Sequence, residues 1–85
     1  MNITDVRIRK IEMDHRLKAI ASITLEACFV IHDLRVIQGE QHLFVAMPSR
    51  KTSTGEFKDI AHPISHEARK LIESKVLEAY EQLSA

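Results

Sequence analysis

Histidine and cysteine are the side chains in this sequence that most readily bind metals or act as nucleophiles. There is one cysteine, Cys28, and there are five histidines, His15, His32, His42, His62 and His66. His62 and His66 are four residues apart, a spacing that serves a metal on one helix face, but Pro63 lies between them at a predicted helix start. No cysteine lies near them and no HExxH motif is present, so we predict no metal site and no cofactor.

Covalent and acid–base catalysis are also disfavoured. Cys28 lies among apolar residues, which predicts a buried strand position where a thiol is inert. His32 and Asp33 are adjacent, and adjacent strand residues point to opposite faces, so we expect that they cannot act together on one substrate atom. Neither a GxSxG nor a GxxxxGKS/T motif is present, and two glycines cannot form a glycine-rich phosphate cradle. We therefore expect no catalytic residue, no small-molecule substrate and no enzymatic activity.

The most informative polar segment is 49–55, SRKTSTG, which we predict to be a loop. It joins two adjacent cations, Arg50 and Lys51, to four hydroxyl side chains, among them Thr52, and Lys58 follows shortly after. Guanidinium, ammonium, hydroxyl and free backbone N–H groups are the usual donors to phosphate oxygens. The loop has no aromatic residue to stack a base. On residue chemistry alone, a solvated hairpin loop is favoured over a phosphate site.

A second basic pair, Arg69 and Lys70, falls in a predicted helix. Glu73 and Glu67 are placed to neutralise these cations at i,i+4 and i,i+3 spacing, so a solvated helix face is the simpler interpretation. The chain as a whole is neutral, with 12 basic and 12 acidic residues, which does not favour a nucleic-acid partner.

The elements that carry these residues follow from the spacing of apolar residues. Alternating or continuous apolar runs predict about five short strands, at 6–9, 17–26, 28–37, 43–47 and 56–60, with a polar break at 13–16. Both faces of the 28–37 strand are largely apolar, which predicts a central strand covered by the helix on one side and by another subunit on the other. Apolar residues at three- and four-residue spacing predict one helix at 64–84, capped by Ser65. The predicted fold class is α+β: a small antiparallel sheet over residues 1–61 with the C-terminal helix packed on it.

Length and composition predict a single domain over residues 1–85. The chain is 45% hydrophobic and 28% charged, has no apolar run long enough to span a membrane, and does not begin like a signal peptide. With one unpaired cysteine, we expect a cytoplasmic protein. A domain of this size is marginally stable alone, so we expect a partner subunit, joined through edge strands.

Six segments of the sequence match a known pattern. They are TDVRIR at 4–9, AIASITL at 19–25, FVIHDLRVI at 29–37, LFVAMPSRKT at 43–52, GEFKDI at 55–60 and HPI at 62–64. They are spread along the chain from residue 4 to residue 64, and they resemble the SpoVG family, the stage V sporulation protein G family of bacteria.

The resemblance implies a homodimeric regulator with a sheet and a C-terminal helix. Family members bind DNA, and in some cases RNA. They are linked to sporulation, to septum formation in cell division, and to control of virulence and surface genes. The basic positions of the family's loop motif fall on residues 50, 51 and 58 here, whereas in the helix only the general location matches. The predicted nucleic-acid-binding residues are those that the resemblance implies, together with Thr52 as a hydroxyl donor of the loop: Arg50, Lys51, Thr52, Lys58, Arg69 and Lys70.

Three departures from the family pattern bear on function. The loop pair commonly reads Lys-Arg, whereas here it is reversed, and Ser53-Thr54 stands where Pro-Asp is common, which removes a negative charge. Many members carry an acidic tail after the helix, whereas this chain ends at Ala85, so we do not carry over tail-dependent autoinhibition or partner binding. The alternative function is a protein-interaction module in septation or sporulation without nucleic-acid binding, which zero net charge and apolar strands favour.

Overall fold

The computed structural model describes residues 1–10 and 16–84, which form six strands and one helix. The elements are β1 Ile3–Lys10, β2 Leu17–Leu25, β3 Phe29–Gln38, β4 Leu43–Ala46, β5 Ser49–Lys51, β6 Phe57–Asp59 and α1 His66–Ser84. Strands β1 to β4 form one antiparallel sheet in chain order, and β5 pairs with β6 in a separate two-stranded sheet. The predicted α+β class is confirmed, although part of the predicted loop is a sixth strand. The predicted polar break falls, except for Arg16, outside the described residues.

Strand β2 lies at the centre of the core because its alternate residues face the helix. Ala19, Ala21 and Ile23 are fully buried, whereas the residues between them are half-buried on the other face. In the adjacent strand β1, Val6 and Ile8 pair with Ile23 and Ala21 and pack against the same core. The other buried residues are Leu34 and Val36 of β3, Val45 of β4, Met47 directly after β4, and Ile72 and Val76 of α1.

Helix α1 begins at His66, two residues after the predicted start at residue 64, and Ser65 caps it as predicted. The Ser65 hydroxyl accepts a hydrogen bond from the backbone N–H of Ala68 at 3.1 Å, which satisfies one of the free donors of the first turn. The helix lies across β1, β2 and β4 and buries Ile72 and Val76. Leu83, predicted to belong to the same apolar stripe, is exposed, so the buried stripe ends before the last turn. Within residues 1–10 and 16–84, no helix is long and apolar enough to span a membrane.

The helix covers only one face of the four-stranded sheet. The opposite face, called the outer face below, carries Arg7 and Arg9 of β1 and Ser22 of β2, all exposed or half-buried. Phe29 and Val30, at the start of β3, are also exposed. One helix can shield only one face of β3, so the predicted cover of its other face by another subunit stays a prediction.

A strained two-residue turn joins β2 to β3. Glu26 and Ala27 have φ angles of 52° and 55°, in the left-handed region that non-glycine residues rarely adopt. The backbone N–H of Glu26 donates to the Asn2 carbonyl at 2.8 Å, and the Glu26 carboxylate accepts from the Asn2 N–H at 2.8 Å. The Ala27 N–H donates to the Thr4 hydroxyl at 3.0 Å. Cys28 closes the turn and is exposed, so the predicted buried strand position is wrong, because the turn interrupts the apolar run.

Replacing Ala27 by glycine is expected to stabilise the fold by about 0.5–1 kcal/mol. Glycine adopts positive φ without the cost of about 1–2 kcal/mol that a Cβ atom imposes, although it loses more conformational entropy on folding. The same substitution at Ala79, within α1, is the matched control and is expected to destabilise by about 1 kcal/mol or more. Urea unfolding followed by circular dichroism measures both changes. If Ala27→Gly lowered the stability as Ala79→Gly does, the inference that the turn is strained at Ala27 would be wrong.

Candidate nucleic-acid interface

Strands β5 and β6 form a hairpin around a turn at 52–55. The Gly55 N–H donates to the Thr52 carbonyl at 3.0 Å, and the Thr52 N–H donates to the Glu56 carbonyl at 2.7 Å. Gly55 has a φ of 90°, a conformation that a residue with a Cβ atom adopts only under strain. Because pairing begins directly before this turn, the predicted loop is shorter than its polar composition indicated. Arg50 and Lys51 lie in strand β5.

The register of the hairpin separates its cations between two faces. Arg50 pairs with Lys58, and Lys51 pairs with Phe57. Directly opposite residues of antiparallel strands project to the same side, so one face carries the first pair and the other face carries the second. All four residues are exposed, and none of the three cations forms a salt bridge with a described residue.

Arg50 and Lys58 place two positive charges directly opposite each other on one face of the hairpin. Directly opposite residues have Cβ atoms about 4.5–5.5 Å apart, and like charges placed this way destabilise the pairing. No carboxylate of the described residues neutralises either cation. An anion held between the two side chains would relieve the repulsion, and a guanidinium beside an ammonium offers charge-assisted hydrogen bonds to phosphate oxygens.

Thr52 holds the turn with its hydroxyl. Its Oγ1 atom accepts a hydrogen bond from the Glu56 N–H at 3.2 Å and lies 3.0 Å from the Thr54 hydroxyl. The side chain is also half-buried. Thr52 therefore acts as a positioning residue at this site, because it stabilises the turn that holds β5 and β6 in their pairing.

Arg35 of β3 ties the hairpin to the main sheet. Its guanidinium donates hydrogen bonds to the Met47 carbonyl at 3.3 Å and to the Ser49 hydroxyl at 3.1 Å. The Ile60 N–H donates to the Pro48 carbonyl at 2.7 Å and closes the base of the hairpin. Sequence analysis overlooked Arg35, and the available signal was that it is the one polar residue within an apolar run of β3.

Arg69 and Lys70 are exposed on α1. Their predicted neutralising pairs with Glu73 and Glu67 are absent, since neither cation has a salt-bridge partner among the described residues. The base of the hairpin and the first half of α1 border one apolar cavity, whose lining includes Met47, Pro48, Ala61, Pro63, Ala68 and Ile72. The two basic groups therefore lie on separate elements, each of which has neighbouring residues that line this cavity.

Ser22, His32 and Asp33 lie together on the outer face, although the sequence predicts that His32 and Asp33 point to opposite faces. A bulge in the pairing of β2 with β3 sets His32 and Asp33 together opposite Ser22, and Asp33 has a φ of 67°. The Ser22 hydroxyl lies 3.0 Å from His32 Nδ1. Both His32 and Asp33 border one shallow depression with Arg7, so the prediction of opposite faces is wrong, because the bulge breaks strict alternation. Among the described residues, no three His, Cys, Asp or Glu side chains cluster as metal ligands.

Comparison with known proteins decides the family of this chain. The sequence model of the SpoVG family matches residues 1–82. The chain belongs to the SpoVG family. Relatives named "Putative septation protein SpoVG" include one from Caldicellulosiruptor bescii, 58% identical over 81 residues, which are 95% of this chain and 92% of that protein. A Clostridium perfringens relative of the same name is 59% identical over 83 residues, or 98% of this chain and 92% of that protein. One from Macrococcus caseolyticus is 59% identical over 85 residues, or 100% of this chain and 74% of that protein.

Membership of the SpoVG family confirms the resemblance carried by the six sequence segments. The family is named for septation and sporulation, and no catalytic family is indicated.

In this SpoVG chain, the exposed residue that sequence analysis overlooked at the hairpin is Phe57. A glycine-containing turn between two short polar runs predicts a hairpin, and pairing across it would have placed Phe57 opposite Lys51.

Lys58→Glu is expected to raise the stability of the protein, because an opposite charge then faces Arg50. Cross-strand pairs of this kind contribute about 0.2–1 kcal/mol. Lys58→Gln, which removes the charge without reversing it, is expected to give an intermediate value. Thermal unfolding at low salt measures the difference. The gain should shrink near about 1 M salt, where the screening length falls to about 3 Å. Unfolding midpoints that match the unmodified protein in both variants would rule out an interaction between residues 50 and 58.

Proposed function

We propose that this SpoVG protein is a cytoplasmic homodimer that binds nucleic acid, DNA or RNA, and acts in sporulation or in formation of the division septum. One observation carries the binding proposal. Arg50 and Lys58 are exposed cations that face each other across a hairpin without an acidic partner among the described residues. The names of the relatives support the septation role, and the family resemblance supports nucleic acid as the partner.

The phosphate backbone is the anion that suits this arrangement. Arg50 and Lys58 together offer several N–H donors to one phosphate. Phosphates recur along a nucleic acid, and Lys51, Arg69 and Lys70 are exposed cations available for further contacts. Backbone contacts position a protein and carry no sequence information, so we assign any sequence preference to the exposed face of α1.

The neutral charge of the whole chain sets the expected strength of binding. Long-range attraction to a polyanion is weak for a neutral protein, and local contacts must supply the affinity. We therefore expect modest affinity that falls steeply as salt rises, since each neutralised phosphate releases counterions.

Charge reversal in the hairpin tests the proposal. Arg50→Glu/Lys51→Glu is expected to abolish binding to DNA and RNA while leaving the dimer intact. Arg9→Glu/Lys75→Glu is the matched control, because it changes the net charge equally at two exposed residues outside the hairpin, and it should retain most of the affinity. Fluorescence anisotropy with duplex DNA and single-stranded RNA, at two salt concentrations, gives the affinity. The salt slope gives the number of contacts, at about −0.9 per phosphate for duplex DNA.

Three results would contradict the proposal. Equal losses in the two double variants would mean that net charge governs binding rather than the hairpin. Unchanged binding by Arg50→Glu/Lys51→Glu, or no binding by the unmodified protein at low salt, would also overturn it. The last result would favour a protein-interaction module in septation, which predicts capture of a protein partner that does not depend on salt.

An apolar cavity beside α1 supports the homodimer. Its volume is about 130 Å³, and its lining is almost wholly apolar, with Leu25 and Met47 at its walls. Ile64 follows the cavity-lining residue Pro63 and is 95% exposed, and Ile60 is 66% exposed. Such a surface offers a second copy of the chain both an exposed apolar side chain and an open apolar recess, and a twofold interface is formed by one surface patch meeting its own copy.

Ile64→Asp is expected to convert the dimer into a folded monomer, because the change places a charge in the interface and leaves the buried core untouched. Ile64→Leu keeps an apolar side chain and is expected to retain the dimer. Sedimentation velocity measures the oligomeric state, and circular dichroism confirms folding. Persistence of the dimer in Ile64→Asp would point instead to pairing of edge strands β1 or β4, the geometry that sequence analysis predicted.

A further inference from the structure

Phe57 exposes an aromatic ring on the hairpin that carries the proposed phosphate contacts. Its side chain is 69% exposed, although a phenylalanine gains most by burial. Phe57 is the first residue of β6 and follows the turn after Glu56, whereas the hairpin closes at its base through Ile60 and Pro48. Phe57 does not line the apolar cavity beside α1. Its exposure therefore needs an explanation separate from the dimer surface at Ile64.

The face that carries Phe57 also carries a cation. Lys51 lies directly opposite Phe57, and directly opposite side chains project to the same face of the hairpin. Asp59 follows on the same face toward the base of the hairpin, opposite Ser49. A negatively charged ligand is therefore attracted to the side of the ring that faces Lys51 and repelled from the side that faces Asp59.

An aromatic ring beside a lysine is the combination that binds a nucleotide with an unpaired base. The ring offers a flat apolar surface for a base, and the ammonium takes the adjoining phosphate. On the opposite face of the same hairpin, Arg50 and Lys58 are available for neighbouring phosphates. In duplex DNA the bases are already stacked and paired, so the ring gains contact with one only after it is unstacked, at a cost.

We infer that Phe57 is a base-stacking residue and that this hairpin prefers single-stranded over double-stranded nucleic acid. The inference rests on the proposed function, which it extends by naming the form of the nucleic acid. It assigns Lys51 to the phosphate next to the stacked base and gives the two faces of the hairpin different roles. Sequence analysis had found no aromatic residue for this purpose, because Phe57 lies outside the polar segment 49–55.

Two substitutions at Phe57 separate stacking from mere apolar contact. Phe57→Leu keeps an apolar side chain but removes the aromatic face, and Phe57→Trp enlarges that face. The probes are a labelled oligothymidylate of about 12 nucleotides, within the usual range of site sizes, and a duplex of the same length. We expect Phe57→Leu to weaken single-strand binding by about 5- to 150-fold, which corresponds to the loss of one stacked base. Duplex binding should change by less than about 2-fold.

Phe57→Trp provides a second readout, because the chain has no other tryptophan. Its affinity for the single strand should equal or exceed that of the unmodified protein. Its fluorescence should be quenched by oligothymidylate and not by the duplex, since a base in contact with the indole ring alters its emission. Sedimentation velocity of both variants shows whether the oligomeric state is unchanged.

The outcomes distinguish this inference from the proposed function. Single-strand binding that survives in Phe57→Leu but is lost in Arg50→Glu/Lys51→Glu would overturn the stacking role and leave the proposed function standing. Equal weakening on both probes, or dissociation of the dimer by Phe57→Leu, would also overturn it and assign Phe57 to a subunit or structural contact. Binding that is insensitive to all these substitutions would overturn both.

Discussion

Burial of one sheet face beneath a single helix is the constraint on which the rest of this structure depends. Ala19, Ala21 and Ile23 of β2 face α1 at alternate positions, and a slip of one residue would turn all three toward solvent. The ammonium of Lys10, 5.8 Å from the centre of the Tyr80 ring, extends the contact between sheet and helix to the end of β1. With one helix available, the outer face and the hairpin remain without cover.

In the hairpin, the residues that fix its conformation are different from the exposed residues assigned to binding. A two-stranded sheet is marginally stable by itself, so this one needs fixing at both ends. Arg35 anchors the start of β5, the bond between Ile60 and Pro48 closes the base, and the Thr52 hydroxyl holds the turn. The side chains between these fixed points contribute nothing to the buried core. They can therefore include a pair of like charges that is unfavourable for folding and favourable for holding an anion.

Regular apolar spacing predicted the fold well, and the site less well. The periods of β2 and α1 arise from burial against each other, so they are visible in the sequence. The pairing of SRK with FKD gives a weaker signal, because lysine and aspartate are depleted in strands and the pairing depends on Gly55 and on Arg35, which is distant in sequence. The errors at Cys28, His32 and Asp33 share one cause. A turn and a bulge interrupt the alternation there, and the residue types at those points give little sign of it.

The contacts of Asn2 and Thr4 with the turn at residues 26 and 27 bear on how the sheet assembles. That turn has neither asparagine nor glycine, so a hairpin of β2 and β3 receives little help from its own connection. Apart from the bond between the Cys28 N–H and the Leu25 carbonyl, the hydrogen bonds that hold the turn come from residues 24 and 23 positions earlier in the chain. During synthesis on the ribosome, the N-terminal residues emerge long before the turn they will hold. The three strands are therefore expected to lock together in one cooperative step, rather than by addition of β1 to a hairpin that is already formed.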